Sequence, residues 1–355
     1  AERVQMRYLF GLHFSLHSQP QSCTISVVHE LSLQYVVLVL DKLRARSREP
    51  ARSHRARCWA LRAQNSSDSR GMLVFAQCLS LTRQLAAGVS YELRNGAAQG
   101  PLLVLVHGMP GRIGDFQPLV STPSASDSLR CLSLDLPGHG ESPAFLDGRD
   151  PDDRNLAQSV WDVVDAASGA SGEPVVLLGH SAGGHTVLAA AALRPKQTLG
   201  VALLAPVGVT PHLAVGNEWG YCNVIRPLAE LSQRPTWRAL LGALLALALR
   251  ASRLLGAPSG MTGEEVLHTQ RRVGLYDFEA AEANVLALEA PVFHAYARDD
   301  PLVQPERFEE LEALLARSPR RAGPRLCWPE GGHYVQQTHA AALAEALKAW
   351  VQTEL

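Results

Sequence analysis

The chain is short of three things that would each have indicated a class of function. It lacks net charge: 33 Lys and Arg stand against 34 Asp and Glu, a formal charge of -1 over 355 residues. No global field therefore draws it to nucleic acid or to an anionic membrane, although local patches still count. It lacks long apolar runs. The longest, Ala239 to Leu249, falls well short of the roughly 20 residues that cross a bilayer, so no integral membrane segment is expected. It also lacks paired cysteines. The six, Cys23, Cys58, Cys78, Cys131, Cys222 and Cys327, form no C-x-x-C pair and sit beside no histidine cluster at zinc spacing. Redox-dithiol and zinc readings drop out, and the thiols are expected to be mostly buried and free. There is no internal repeat.

What remains is a globular composition, 46% hydrophobic and 19% charged, that suits one main core with an extension and an insertion. Residues 1 to 70 form the extension. Between Arg44 and Arg70 it carries eight arginines against two acids, Glu49 and Asp68. This pattern reads as an exposed linker, with an organelle-targeting segment as the alternative. A cytoplasmic location is the default expectation.

From about Gly71 short β-rich segments appear, Met72 to Leu79 and Val89 to Leu93, the latter closed by the turn signal Asn95-Gly96. Apolar runs of strand length follow at Leu102 to Val106, Leu129 to Leu134, Pro174 to Leu178, Leu199 to Leu204, Pro291 to Ala297 and Pro324 to Trp328. Helical patterns separate or follow them at Leu156 to Ala167, Thr186 to Leu193, Pro305 to Ala316 and Ala340 to Gln352. Continuous apolar strands alternating with helices predict an α/β architecture, a mostly parallel sheet covered on both faces. Helix-rich sequence from about 209 to 290 interrupts the alternation and is expected to form a helical cap.

One run carries a chemical signature. Val175 to Leu178 leads through Gly179-His180-Ser181-Ala182-Gly183 into a helical pattern. A serine flanked by glycines two residues away on each side, between a buried strand and a helix, is the pattern of a nucleophile raised on a tight turn. Acyl transfer at neutral pH further needs a base, a group to orient it and donors for the developing oxyanion. The chain resembles the α/β-hydrolase superfamily over about residues 71 to 355. Leu105-Val106-His107-Gly108-Met109-Pro110-Gly111 is similar to the family's oxyanion loop. The resemblance implies that the backbone N–H groups of Met109 and Ala182 hold the oxyanion and that His107 braces the loop. Asp135-Leu136-Pro137-Gly138-His139-Gly140-Glu141-Ser142 resembles the loop after the fourth strand, with His139 and Glu141 stabilising it. Asp300, in Asp299-Asp300-Pro301-Leu302-Val303, matches the family's acid, and His333, in Glu330-Gly331-Gly332-His333-Tyr334, its general base. Asp299 is read as a turn residue.

The resemblance implies a serine hydrolase, with Ser181, Asp300 and His333 catalytic and no cofactor or metal. The substrate is expected to be a small, largely apolar carboxylic ester. Thioester, amide, lactone and carbon–carbon cleavage use the same residues and stay open, and the different-class alternative is a ligand-binding protein with slow or no turnover. Epoxide hydrolases and haloalkane dehalogenases share the fold but use a carboxylate nucleophile, which Ser181 argues against. In the cap, His212, Trp219, Tyr221 and Trp237 are expected to pack rather than touch substrate. The Ala239 to Leu249 run is expected to be buried or pocket-facing, with contact to a lipid surface as the alternative.

Overall fold

The computed structural model describes residues 83–95, 100–145, 147–168, 172–254, 263–318 and 322–355. The arginine-rich stretch and the strand expected at 72–79 lie outside them. Eight strands form one sheet: β1 (Gln84–Ala86), β2 (Val89–Arg94), β3 (Leu102–Val106), β4 (Arg130–Leu134), β5 (Val175–His180), β6 (Thr198–Leu204), β7 (Val292–Ala297) and β8 (Ala322–Trp328). Their order is β1-β2-β4-β3-β5-β6-β7-β8. The first two pairings, β1 with β2 and β2 with β4, are antiparallel, and β3 to β8 run parallel.

The period-2 geometry of a strand sends alternate side chains to opposite faces, and here it divides one apolar sequence between two cores. Leu102, Val104 and Val106 of β3, with Val175 and Leu177 of β5, face one side. There they meet helix α1 (Asp153–Ser168) through Leu156, Val160 and Trp161 and helix α2 (Gly183–Leu193) through Val187 and Leu188. The intervening residues Leu103, Leu105, Val176 and Leu178 face the other side, against Phe116, Leu119 and the later Leu343, Leu347 and Trp350. Because every central strand is covered twice, its sequence is apolar throughout rather than alternating.

Between β6 and β7 lies the cap: α3 (Arg226–Ser232), α4 (Pro235–Leu254), α5 (Gly263–Gly274) and α6 (Phe278–Leu286). Two further long helices, α7 (Pro305–Leu315) and α8 (Ala340–Thr353), and several helices of a single turn cover the rest of the sheet. The sequence pattern alone does not mark α3 and α6. Both are short, and α6 is marked chiefly by its N-cap, where the Asp277 carboxylate accepts from the Ala280 N–H at 2.9 Å.

Two expectations need correction. The apolar run in α4 is not buried along its length: Leu240, Leu244 and Leu247 are 48%, 54% and 64% exposed, and Trp237 is 41% exposed. The helix packs on α5 and α3, and eleven small and apolar residues in a row encircle the helix, so some must face outward. Among the described cysteines, Cys131 is buried, but Cys222 is exposed and Cys327 half-buried. Burial pushes the Cys131 thiol up to about 12.

The cap is tied to the sheet domain by charge. Arg272 of α5 is fully buried and pairs with Asp153 at the start of α1, its guanidinium 4.9 Å from the centre of the Tyr276 ring. Arg271 pairs with Asp150 beside it. Removing one member of a buried pair strands the other, at a cost of about 3 to 5 kcal/mol, whereas removing both with apolar replacements costs far less. Arg272→Leu should therefore lower the thermal midpoint strongly, and the Arg272→Leu/Asp153→Leu double variant should recover most of the loss; calorimetric melts of the three proteins check this.

Candidate active site

β5 ends at His180, and Ser181 turns the chain with φ of +54° before α2 begins at Gly183. A non-glycine residue in the left-handed region stores on the order of 1 to 3 kcal/mol of strain, and hydrogen bonds on both sides hold it there. The Ser181 N–H donates to the Leu204 carbonyl at 2.9 Å, and the Ser181 carbonyl accepts from Gly184 at 2.9 Å. The turn is tight enough to dictate its glycine. A β-carbon at Gly183 would lie 2.4 Å from the Val106 carbonyl oxygen, a distance no side chain tolerates.

The loops after β7 and β8 bring two more groups to Ser181. His333 Nε2 is 2.8 Å from Ser181 Oγ, and its Nδ1 is 2.7 Å from Asp300 Oδ2. The other Asp300 oxygen accepts from the N–H groups of Leu302 and Val303, at 2.8 and 3.1 Å. Burial pushes the Asp300 carboxyl up, but the His333 ring beside it and the two backbone donors outweigh that and hold it below 3.8. The neighbouring Asp299 does different work: its exposed carboxylate accepts from the Gly332 N–H at 2.7 Å, fixing the turn that presents His333. From the other side, His180 Nε2–H donates to the His333 carbonyl at 2.9 Å. The structure thus brings Ser181, Asp300 and His333 together from three loops at the same edge of the sheet.

The loop after β3 abuts the serine. A β-carbon at Gly108 would lie 2.7 Å from that of Ser181, so only glycine allows the approach. His107 is buried, its Nε2 accepting from the Leu136 N–H at 2.9 Å and its Nδ1–H donating to the Gly108 carbonyl at 2.7 Å. Those two bonds fix the neutral tautomer and make His107 a brace between loops. Met109 precedes a cis peptide to Pro110, and both line the pocket with Ser181; Ala182 is buried at the start of α2.

One residue of this neighbourhood carried no assigned role in the sequence reading. Asp135 is fully buried and accepts from the N–H groups of Ile113 at 2.7 Å and Glu141 at 3.0 Å while pairing with Arg83 at 3.2 Å, tying two loops and β1's leading edge together. A carboxylate closing an apolar strand was the available signal. His139, on the same loop, is buried, with its Nε2 3.2 Å from the Thr269 hydroxyl of α5. Glu141 is paired with Arg83 at 2.6 Å at the surface.

The pocket over Ser181 is mostly apolar. Val207, Leu302 and Val303 come from the sheet's loops, and Val215, Thr269, Val273 and Tyr276 from the cap. His212 also lines it, its Nδ1–H donating to the Leu302 carbonyl at 3.1 Å, so it does more than pack. Trp219 and Trp237 are exposed and neither pack inside the cap nor reach the pocket. Tyr221 is buried, its hydroxyl donating to the Tyr276 carbonyl at 2.6 Å, and burial raises that phenol to about 12. The lining residues Thr269 and Val273 were not singled out because they sit on helical sequence whose polar and apolar positions resemble any amphipathic helix, and Tyr276 because it lies in the short connection between α5 and α6.

Residues 103–346 match the model of the alpha/beta hydrolase family, and the chain belongs to that family. Among curated relatives, a dihydrolipoyllysine-residue acetyltransferase component of the acetoin cleaving system of Pseudomonas putida is 26% identical over 72% of this chain and 65% of its own length. The mouse sn-1-specific diacylglycerol lipase ABHD11 is 34% identical over 36% of this chain and 40% of its own. The pimeloyl-[acyl-carrier protein] methyl ester esterase of Stenotrophomonas maltophilia is 29% identical over 71% of this chain and 93% of its own. The chain thus spans less than two thirds of the length of the first two.

The contact between the cap and the loop after β4 is built from histidines. His268 of α5 stands edge-on to His139, ring centroids 5.3 Å apart. Burial, helped by the charge of Arg271, lowers the His268 ring to about 4; burial likewise holds His139 well below 6.5. The unfolded chain takes up a proton on such a ring near 6.5 while the folded chain does not, so stability falls as pH drops from about 6.5 toward 4, by about 3 kcal/mol for a ring shifted as His268 is. His268→Phe should flatten part of this acid limb, seen in urea midpoints compared at pH 7 and pH 4.5.

Proposed function

We propose that the chain hydrolyses a carboxylic ester, or a related acyl bond, of a small and largely apolar substrate through an acyl-Ser181 intermediate. The observation that carries the reading is the continuous hydrogen-bonded series from Asp300 through both nitrogens of His333 to the Ser181 hydroxyl, at 2.7 and 2.8 Å. Ser181 Oγ attacks the carbonyl carbon as His333 Nε2 takes its proton. The carbonyl oxygen becomes an oxyanion, for which the backbone N–H groups of Met109, which lines the pocket, and Ala182, next to the serine, are the donors. The imidazolium, held in orientation and stabilised by the ionised Asp300, returns the proton to the leaving alcohol. Water then enters and attacks the acyl carbon as His333 Nε2 takes its proton; the imidazolium gives that proton to Ser181 Oγ as the Oγ–acyl bond breaks, releasing the acid and restoring the free enzyme.

The pocket supports the substrate class. Its valines, leucine and tyrosine favour an apolar acyl group, with Thr269 and His212 as the polar exceptions. The relatives named for a methyl esterase and a diacylglycerol lipase act on esters by those names, which agrees with this chemistry.

Ser181→Ala should abolish both turnover of activated aryl esters and labelling by a fluorophosphonate, with an unchanged thermal melt; full labelling of that variant would overturn the assignment. The two adjacent acids give a second test. Asp300→Asn should lower kcat by about three to four orders of magnitude, because the imidazole loses its orienting charge. Asp299→Asn keeps an acceptor for the Gly332 N–H and should cost less than tenfold, as steady-state kinetics on the same ester will show.

A further inference from the structure

We propose that the outer face of α4 docks the protein on the surface of an anionic phospholipid bilayer. Trp237, Leu240, Leu244 and Leu247 recur at intervals of three, four and three, which on a helix of 3.6 residues per turn places them within an arc of about 80°. All four are exposed. The side of the helix toward α5 is a different one: a β-carbon at Gly242 would touch Leu267 of α5 at 3.6 Å. The stripe is thus a continuous apolar ridge on the outside of the cap, a feature a monomer in water has no reason to keep at this density.

Charge decides what the ridge meets. From 231 to 262 the sequence holds four arginines, Arg234, Arg238, Arg250 and Arg253, and no aspartate or glutamate. A second copy of the chain docked through the same face by a two-fold axis would bring this cationic segment against itself. Anionic headgroups would instead be attracted to it. Leucines on one side, arginines in the same helix and a tryptophan at one end describe a helix that lies in the membrane interface. No helix among the described residues is long and apolar enough to cross a bilayer. The placement also serves the pocket. α4 packs on α5, which supplies Thr269 and Val273 to the cavity over Ser181, so docking would bring the cap to the phase in which apolar esters concentrate.

Binding to vesicles is measured without turnover, so the test stands apart from the esterase reading. The full chain should co-sediment with vesicles of phosphatidylcholine containing about one third phosphatidylglycerol, whose surface is anionic, and bind at least tenfold less to pure phosphatidylcholine. Leu240→Glu/Leu244→Glu should reduce binding at least tenfold with the same thermal midpoint, since both positions are exposed. Absence of binding by the native chain overturns the proposal. So does equal binding by the variant, which would move the contact to another segment. A concentration-dependent dimer that the variant abolishes, with no vesicle binding, would assign the ridge to a second copy instead.

Discussion

Everything at the site depends on a single backbone torsion. Ser181 adopts φ of +54°, and the hydroxyl stands clear of the sheet because of it. Bonds to Leu204 and Gly184 hold the turn. The absence of side chains at Gly108 and Gly183 makes room for it, and β5, buried along its whole length, anchors its start. A strained conformation persists only where the surroundings overdetermine it. Here the surroundings are the central strands of a doubly covered sheet, the most rigid part of such a fold.

Around that fixed point the loops are held by polar groups that have little access to water. His107 spans two loops with its two nitrogens, and Asp135 collects two backbone N–H groups and a guanidinium. Asp299 and His180 hold the turn bearing His333 from opposite sides. The bonds of His107, Asp135 and His180 are buried or half-buried, so losing one would leave a partner unsatisfied, whereas the Asp299 bond lies at the surface. The result is an arrangement in which the imidazole's position is set before any substrate arrives, which is the condition for electrostatic stabilisation without reorganisation.

The sequence disclosed the sheet and the three loops at its edge because those features write themselves locally. Val175 to Leu178 is apolar since both faces are covered; Gly183 is glycine since a carbonyl lies where a β-carbon would be. The residues that follow Asp300 point to it rather than to Asp299, and in the structure it is Asp300 that lies 2.7 Å from His333 Nδ1. The cap was less readable. Its helices bury only part of their surface, so the outward Leu240, Leu244 and Leu247 have the same composition as a buried run, and pocket residues such as Thr269 and Val273 are distinguished only by which way α5 is turned. That orientation comes from the Arg272 and Asp153 pair, a contact between residues 119 positions apart. Asp135 escaped for a related reason: a carboxylate at a strand's end looks like a turn residue until the N–H groups it accepts from are placed around it.

The central claim, that Ser181 is acylated during turnover, is tested most directly by rapid-quench mass spectrometry of the full chain mixed with a nitrophenyl ester. The account predicts a burst of nitrophenol stoichiometric with protein and a single acyl adduct on the peptide carrying Ser181, which disappears as turnover completes. An adduct on another residue, or steady release of nitrophenol with no adduct under conditions that slow deacylation, would contradict it.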